Sequence, residues 1–131
     1  MKVDHGRILV ADGDQDEREL IILALRFAGF DVMGAKDSEQ ACNYFKVNHP
    51  DIGLVEVNLP GIDRLAECME NRDEGATFIM FLSAEGEVDM KQFSWSGKAE
   101  IITKPISPDR LTRQVERHLH KARAASKSVI P

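Results

Sequence analysis

The side chains of this protein that could do chemistry stand at the ends of apolar runs. Four such runs, each typical of a buried strand, close on a polar residue: Asp12, Glu56, Ser83 and Lys104. Glu56 is the least expected, because burying its charge is costly unless the strand end opens into a polar crevice. Parallel α/β sheets form such crevices at the carboxyl ends of their strands. If the four strands are neighbours, two acids, a hydroxyl and an amine converge on one crevice, and Glu56 marks it.

Helix signals separate these strands. Asp14, with Glu17 three residues later, predicts a capping box at the start of the first helix. That helix has a broad apolar face formed by Leu20, Ile21, Leu23, Ala24, Phe27 and Ala28. Residues 86–95 predict a poor helix with few apolar residues. Ser107-Pro108 predicts the start of a last helix that ends near residue 124.

The chain thus contains five predicted strands that alternate with five predicted helices. This alternation predicts a doubly wound α/β fold, in which a five-stranded parallel sheet carries helices on both faces. A chain of 131 residues, 43% of them hydrophobic, can bury one core. We place the domain at residues 1–124, and residues 125–131 are predicted to be a tail or the start of a linker.

Composition indicates an ordinary acidic protein of the cytoplasm, with a net charge of −5. Cys42 and Cys68 fall in helix-like stretches without metal-ligand spacing, so we expect free, reduced thiols. The sequence shows no signal peptide and no apolar run of membrane-spanning length.

Positive charge is concentrated in the last predicted helix and the tail. Residues 110–131 hold six of the 17 lysines and arginines and one of the 22 acids, a net charge of +5 that leaves −10 on the rest. Four of these cations form a stripe along the helix: Arg110, Arg113, Arg117 and Lys121. Such a stripe is most often a solvated face, with a partner surface as the alternative. Nucleic acid is disfavoured, because the body is acidic and no recognition motif is present.

These motifs together resemble the receiver domains of two-component response regulators. The resemblance covers Ile8 to about Ala122 and rests on residues 8–12, on 58–63, on Ser83-Ala84 and on Lys104-Pro105. It implies the flavodoxin-like strand order 2-1-3-4-5. Receivers take a phosphoryl group from a histidine kinase onto an aspartate. The family pattern holds Mg²⁺ with two adjacent acids and that aspartate, and it binds the phosphoryl oxygens with a hydroxyl and a lysine.

Carried over residue by residue, this pattern is only half present. Three positions keep the family residue: Asp12 as the first acid, Ser83 as the hydroxyl and Lys104 as the lysine. The second acid falls on Gly13, the phosphoacceptor on Glu56 and the switch aromatic on Ile101. Glycine offers no ligand, and the extra methylene of glutamate carries its carboxylate about 1.5 Å further out. A β-branched isoleucine is stiff and has no ring to swing inward. The resemblance therefore implies an atypical receiver, or pseudo-receiver.

We accordingly expect a signalling module that is not an enzyme and does not complete phosphotransfer. The expected partners are a histidine kinase, an output domain or another receiver, bound through the fourth helix, fifth strand and fifth helix. A homodimer is possible, and no membrane partner is expected. No cofactor is expected either: Mg²⁺ should bind weakly at Asp12, if at all, unless Asp14 rotates in to replace the missing ligand.

Two alternatives stay open. Glu56 either imitates a phosphorylated aspartate by reaching Lys104 and Ser83, or forms an ion pair with Lys104 that merely satisfies both charges. A single negative charge without tetrahedral oxygens favours the ion pair. The main alternative function is an active phosphoacceptor that uses Asp14 for metal and Glu56 or another acid as acceptor. A flavin or small-molecule binder is disfavoured, because no phosphate-binding loop follows the first strand.

Overall fold

The computed structural model describes residues 6–70, 78–84, 99–104 and 107–128. Nine elements follow one another within these ranges, and the strands are short, as the apolar runs predict. They are β1 (Arg7–Ala11), α1 (Gln15–Phe27), β2 (Asp31–Ala35), α2 (Ser38–Asn48), β3 (Ile52–Glu56), α3 (Ile62–Glu70), β4 (Phe78–Ala84), β5 (Ala99–Lys104) and α4 (Pro108–Ser128). The predicted helix at 86–95 lies outside the described residues.

The five strands form one parallel sheet in the order β2-β1-β3-β4-β5, which confirms the predicted fold class and strand order. Register aligns the carboxyl ends: Ala11 lies opposite Val55, Glu56 opposite Leu82, and Ala84 opposite Lys104. The residues that end or follow β1, β3, β4 and β5 therefore share one edge of the sheet, which is the condition for a common crevice.

Side chains alternate along β1 and feed two apolar layers, one on each face of the sheet. Ile8 and Val10 belong to the layer that holds Leu25 of α1 and Val115 of α4. Leu9 and Ala11 belong to the opposite layer, with Phe45 of α2 and Leu65 of α3. The sheet is therefore covered on both faces, and this sandwich fixes the strand ends that carry the polar residues.

The first helix departs from its predicted packing. Leu25 is fully buried, with Ile21, Ile22 and Ala28 packed against the core, whereas Leu20, Leu23 and Phe27 are exposed. The broad apolar face predicted for this helix is therefore wrong in part, because half of it points away from the sheet.

The last helix begins as predicted, since the Ser107 hydroxyl accepts a hydrogen bond from the Arg110 N–H at 3.2 Å. It continues to Ser128 and does not end near residue 124, so residues 125–128 of the predicted tail are helical. Within the described ranges, no helix is both long and apolar enough to span a membrane.

The expectation of two free thiols is wrong, because Cys42 and Cys68 form a disulfide. Cys42 lies in α2 and Cys68 in α3, and the two helices pack side by side with 6.1 Å between the two Cα atoms. Separation along the chain hid this proximity, since the two residues are 26 positions apart. Free thiols were expected because the protein was taken to be cytoplasmic. That expectation did not consider which faces of α2 and α3 pack together.

Candidate functional site

Asp12 follows directly after β1 and opens the crevice. Its N–H donates to the Ala35 carbonyl of β2 at 2.9 Å, which fixes the backbone. The residue is only 1% exposed, and its side-chain Oδ1 accepts a hydrogen bond from the Asp14 N–H at 2.9 Å. Asp14 in turn caps α1, because its Oδ1 accepts from the Glu17 N–H at 3.1 Å. The predicted capping role of Asp14 is therefore confirmed.

Glu56 is the last residue of β3, and it is 8% exposed. Its Oε2 accepts a hydrogen bond from the Asn58 N–H at 2.6 Å, and its carbonyl accepts from the Leu59 N–H at 3.0 Å. The turn then closes through Gly61, whose φ of 75° is a conformation that glycine adopts without strain. The carboxylate is thus folded back onto its own turn instead of extending freely into the crevice.

Lys104, the last residue of β5, reaches two carboxylates. Its Nζ lies 2.7 Å from Oε2 of Glu17 and 3.5 Å from Oε1 of Glu56. The predicted ion pair between Glu56 and Lys104 is confirmed, but it is the longer of the two contacts. Glu17 of α1 holds the lysine more closely, and sequence reasoning missed it.

The polar groups of the crevice influence one another's protonation. Burial, and hydrogen bonding with the Glu17 carboxylate, raise the pKa of Asp12 from 3.8 to about 7. Glu17 is the partner that stays ionised, because the hydrogen bond from Asp12 and the charge of Lys104 lower its pKa. Burial alone would lower the pKa of Lys104, but the hydrogen bond and charge of Glu17 raise it overall.

One buried atom fits this pattern of protonation. Oδ2 of Asp12 has no hydrogen-bond donor within reach among the described residues when the carboxyl group is ionised. With a proton on Oδ2, the same group can donate to Glu17, and the buried atom is then satisfied. A proton shared between the two acids therefore suits the geometry better than two bare carboxylates.

The remaining predicted site residues take different positions. Gly13 borders the crevice, and a Cβ added there would lie 3.3 Å from Cδ of Pro60. Ile101 lies on β5, partly buried against the layer that contains Leu65. Ser83 lies in β4 opposite Thr103, which places its backbone at the correct edge, while its side chain lies outside the described part of the structure.

The described residues of the crevice offer Mg²⁺ few free oxygen ligands, of which Oδ2 of Asp12 is one. Octahedral coordination needs several free oxygen ligands. Here Gly13 offers none, Oδ1 of Asp12 and Oε2 of Glu56 accept backbone hydrogen bonds, and the Lys104 ammonium lies beside Glu56. Among the described residues, no group of three or more histidines, cysteines and acids could hold a metal ion. Weak Mg²⁺ binding stays a prediction.

Glu17 could have been found from the sequence by position alone. It stands five residues after Asp12, in the first turn of a helix that follows a strand, and such first turns border the crevice of a parallel sheet. The capping-box pattern assigned its carboxylate to the helix backbone. The Asp14 N–H instead donates to Asp12, which leaves Glu17 available to Lys104.

Comparison with known proteins gives one consistent result. The family model described as the response regulator receiver domain matches residues 8–116. The DNA-binding response regulator MtrA of Mycobacterium tuberculosis is 32% identical over 122 residues, which cover 92% of this chain and 54% of that protein. MtrA of Mycolicibacterium smegmatis is 31% identical over the same shares of the two chains. The chain spans about half the length of the curated relatives that it matches.

Solved structures agree on the fold. A CheY-like response regulator receiver domain protein from Methanospirillum hungatei superimposes with a TM-score of 0.78 at 22% identity, covering 92% of this chain and 98% of that one. Full-length FixJ from B. japonicum gives a TM-score of 0.78 at 23% identity, covering 96% of this chain and 63% of that one.

Proposed function

Since the chain belongs to the response regulator receiver domain family, it is a receiver domain of two-component signalling, and we propose that it works without being phosphorylated. It acts as a protein-binding module of the cytoplasm and not as an enzyme. The observation that carries the proposal is the state of Lys104, whose charge is already met by Glu17 at 2.7 Å and Glu56 at 3.5 Å.

An incoming phosphoryl group would need the positive charge of Lys104. A receiver lysine stabilises the negative charge that develops on the phosphoryl oxygens, so the ammonium must be available to them. Two carboxylates beside Lys104 compete for the same ammonium. An incoming phosphoryl group would have to displace the 2.7 Å contact to Glu17 and would meet the negative charge of Glu56.

The metal ligands and the phosphoacceptor position also argue against phosphorylation. Asp12 holds a proton up to about pH 7, so at neutral pH a cation has to compete with that proton for the carboxylate. Gly13 supplies no second ligand. Glu56 presents a carboxylate that already accepts the Asn58 N–H. These features support a pocket that binds Mg²⁺ weakly and presents no well-placed nucleophile.

The partners of this module are also a proposal, and it is based on the family and on the relatives named above. Receiver domains of response regulators interact with kinases and output domains, and the curated relatives named above are DNA-binding regulators about twice as long as this chain. We therefore assign this chain a histidine kinase, an output domain or another receiver as partner. The face beside β5 and α4 is the proposed contact, and nucleic acid is not a direct partner of this domain.

Intact mass tests the proposal directly. Incubation with acetyl phosphate and Mg²⁺ should leave the mass of the protein unchanged. The matched positive control is the Gly13→Asp/Glu56→Asp double variant, which returns the second acid and shortens the acceptor. The new Cβ at position 13 requires the Pro60 ring to shift by a few tenths of an ångström. Either single change should restore much less phosphorylation, because the metal site and the phosphoacceptor act as one unit.

Glu17 adds a third position to this repair. The triple variant that also carries Glu17→Gln should take up more phosphate than the double variant, because Lys104 is then free to reach the phosphoryl oxygens. A stoichiometric phosphoryl adduct on the unmodified protein would refute the proposal and favour the active phosphoacceptor that uses Asp14 and Glu56. If the folded triple variant stays inert, the assignment of roles to these positions is wrong.

A further inference from the structure

The Cys42–Cys68 disulfide is a feature that the proposed function does not explain. It joins α2 to α3, and both cysteines are partly exposed. In the proposed cytoplasmic location, thioredoxin and glutathione keep most thiols reduced, and the disulfides that do form there usually act in redox sensing or catalysis. A partly exposed disulfide is also accessible to an attacking thiolate. Location and accessibility together indicate a bond that is made and broken in use.

The disulfide is one of two links between α2 and the segment that carries Glu56. The other link is a backbone hydrogen bond, which the Ser38 N–H at the start of α2 donates to the Pro60 carbonyl at 3.1 Å. Gly61 packs against the same position, since a Cβ added to it would lie 3.4 Å from Cβ of Ser38. Pro60 and Gly61 belong to the turn between β3 and α3. This turn is therefore held between the two links.

The same turn positions the carboxylate of Glu56. The Asn58 N–H donates to its Oε2 at 2.6 Å, while its Oε1 lies 3.5 Å from Nζ of Lys104. The two oxygens of one carboxylate thus face the turn and the crevice. A change in the position of the turn is transmitted to the crevice through this single side chain.

From these contacts we propose that Cys42 and Cys68 are a reversible redox site through which a cellular dithiol regulates the position of Glu56. With the disulfide formed, the turn is fixed and Glu56 stays bonded to the Asn58 N–H. Reduction removes one of the two links that hold the turn. The inference rests on the proposed function, because it assumes a cytoplasmic protein and supplies it with an input that needs no phosphoryl group.

Reduction moves the turn without unfolding the domain. Two thiol sulfurs cannot approach each other as closely as two bonded sulfurs, so the reduced pair pushes α3 away from α2 at Cys68. Leu65 of α3 is fully buried in the layer that contains Phe45, and it keeps the helix on the sheet. The turn at the start of α3 therefore takes up the movement, and the carboxylate of Glu56 is released towards Lys104.

The chemical step is thiol–disulfide exchange with a protein dithiol of the thioredoxin class. One thiolate of the dithiol attacks a sulfur of the disulfide and displaces the other sulfur, which takes up a proton. The second thiolate of the dithiol then attacks the mixed disulfide and releases the remaining cysteine as a thiol. Two electrons and two protons pass to the protein, and the dithiol becomes a disulfide. Sγ of Cys68 lies 4.0 Å from the Cys42 carbonyl oxygen, so the reduced thiol has an acceptor within reach.

Equilibration of the unmodified protein with mixtures of reduced and oxidised thioredoxin tests whether the bond is reversible. Alkylation of free thiols, followed by intact mass, counts the reduced molecules. We expect an equilibrium constant within about tenfold of one, because permanent structural disulfides are harder to reduce than thioredoxin by more than that. A larger deviation in either direction overturns the proposal, since the pair would then stay oxidised or stay reduced in the cytoplasm.

Hydrogen exchange compares the oxidised and the reduced protein at the turn. Exchange of the Asn58 amide, which donates to Glu56, should be at least about tenfold faster in the reduced protein. The Asp51 amide, which donates to the Arg7 carbonyl at the amino-terminal edge of the sheet, should change less than about twofold. Leu25→Ala in the oxidised state is the matched control for a general loss of stability, because it empties a position in the opposite core layer. It should not accelerate Asn58 relative to Asp51.

The Cys42→Ser/Cys68→Ser double variant should exchange at Asn58 as the reduced protein does, with or without an oxidant. The reduced unmodified protein gives the same comparison without any substitution. If Asn58 exchanges equally fast in the oxidised and reduced proteins, the link from the disulfide to the turn is wrong. These measurements contain no phosphorylation step. A phosphoryl adduct formed with acetyl phosphate would refute the proposed function and leave the redox results unchanged.

Discussion

Asp12→Asn should make the protein more stable at neutral pH and remove an unusual pH dependence. The pKa of Asp12 is raised from 3.8 to about 7 by burial and by hydrogen bonding with Glu17. A carboxyl group whose pKa is higher in the folded state holds its proton more tightly there, so the free energy of unfolding falls as pH rises through this window. Full ionisation costs about 4 kcal/mol, at about 1.4 kcal/mol for each tenfold change in proton affinity.

Between pH 5 and pH 7.5 the expected loss of stability is about 2.5 kcal/mol, since the lowered pKa of Glu17 acts only at lower pH. Urea denaturation at several pH values measures this loss for the unmodified protein and for Asp12→Asn. Both proteins contain the same histidines, so the difference between their pH profiles isolates Asp12. Asparagine keeps the size of the side chain and can still donate to Glu17. Parallel profiles for the two proteins would refute the raised pKa, and with it the shared proton in the crevice.

Three further outcomes follow from the packing. Reduction of the Cys42–Cys68 disulfide should lower the free energy of unfolding by about 3.5 kcal/mol, the chain-entropy value for a loop of this length. Urea denaturation with and without reductant measures this loss. The variant with alanine at both positions should not respond to the reductant. Glu17→Gln should lower the pKa of Lys104, which NMR titration of the lysine side chain measures. An unchanged pKa would contradict the contact between Glu17 and Lys104. Leu25→Ala should cost about 3 kcal/mol and Leu23→Ala well under 1 kcal/mol, so equal losses would refute the orientation of α1.

Most of the fold could be predicted, because the signals that encode it are local. Alternating apolar runs and helix caps specify strands and helices one at a time, and Asp14 and Ser107 cap the helices that they were predicted to cap. The sheet order came from resemblance to a family, since pairing between distant strands leaves no trace in a single strand. The resemblance also placed Glu56 beside Lys104, as the structure has them.

What could not be predicted depends on which helix faces meet. Leu23 and Leu25 are the same residue type two positions apart, yet one is exposed and the other is fully buried. Hydrophobicity alone cannot separate them when apolar residues surround most of a helix. Cys42 and Cys68 pair for the same kind of reason, and Glu17 was assigned to its own helix because a local motif explained it. Contacts between elements decided all three cases.

The contact between Glu17 and Lys104 also bears on how the chain folds. The two residues are 87 positions apart, and β5 is joined to the rest of the sheet through β4 at the edge. We expect this contact to form late in folding, because closing so long a loop before β3 and β4 align its ends is entropically unfavourable. On this expectation the charges of the crevice come together late, on strands that are already paired. Changes at Glu17 should then speed unfolding and leave the rate of folding almost untouched.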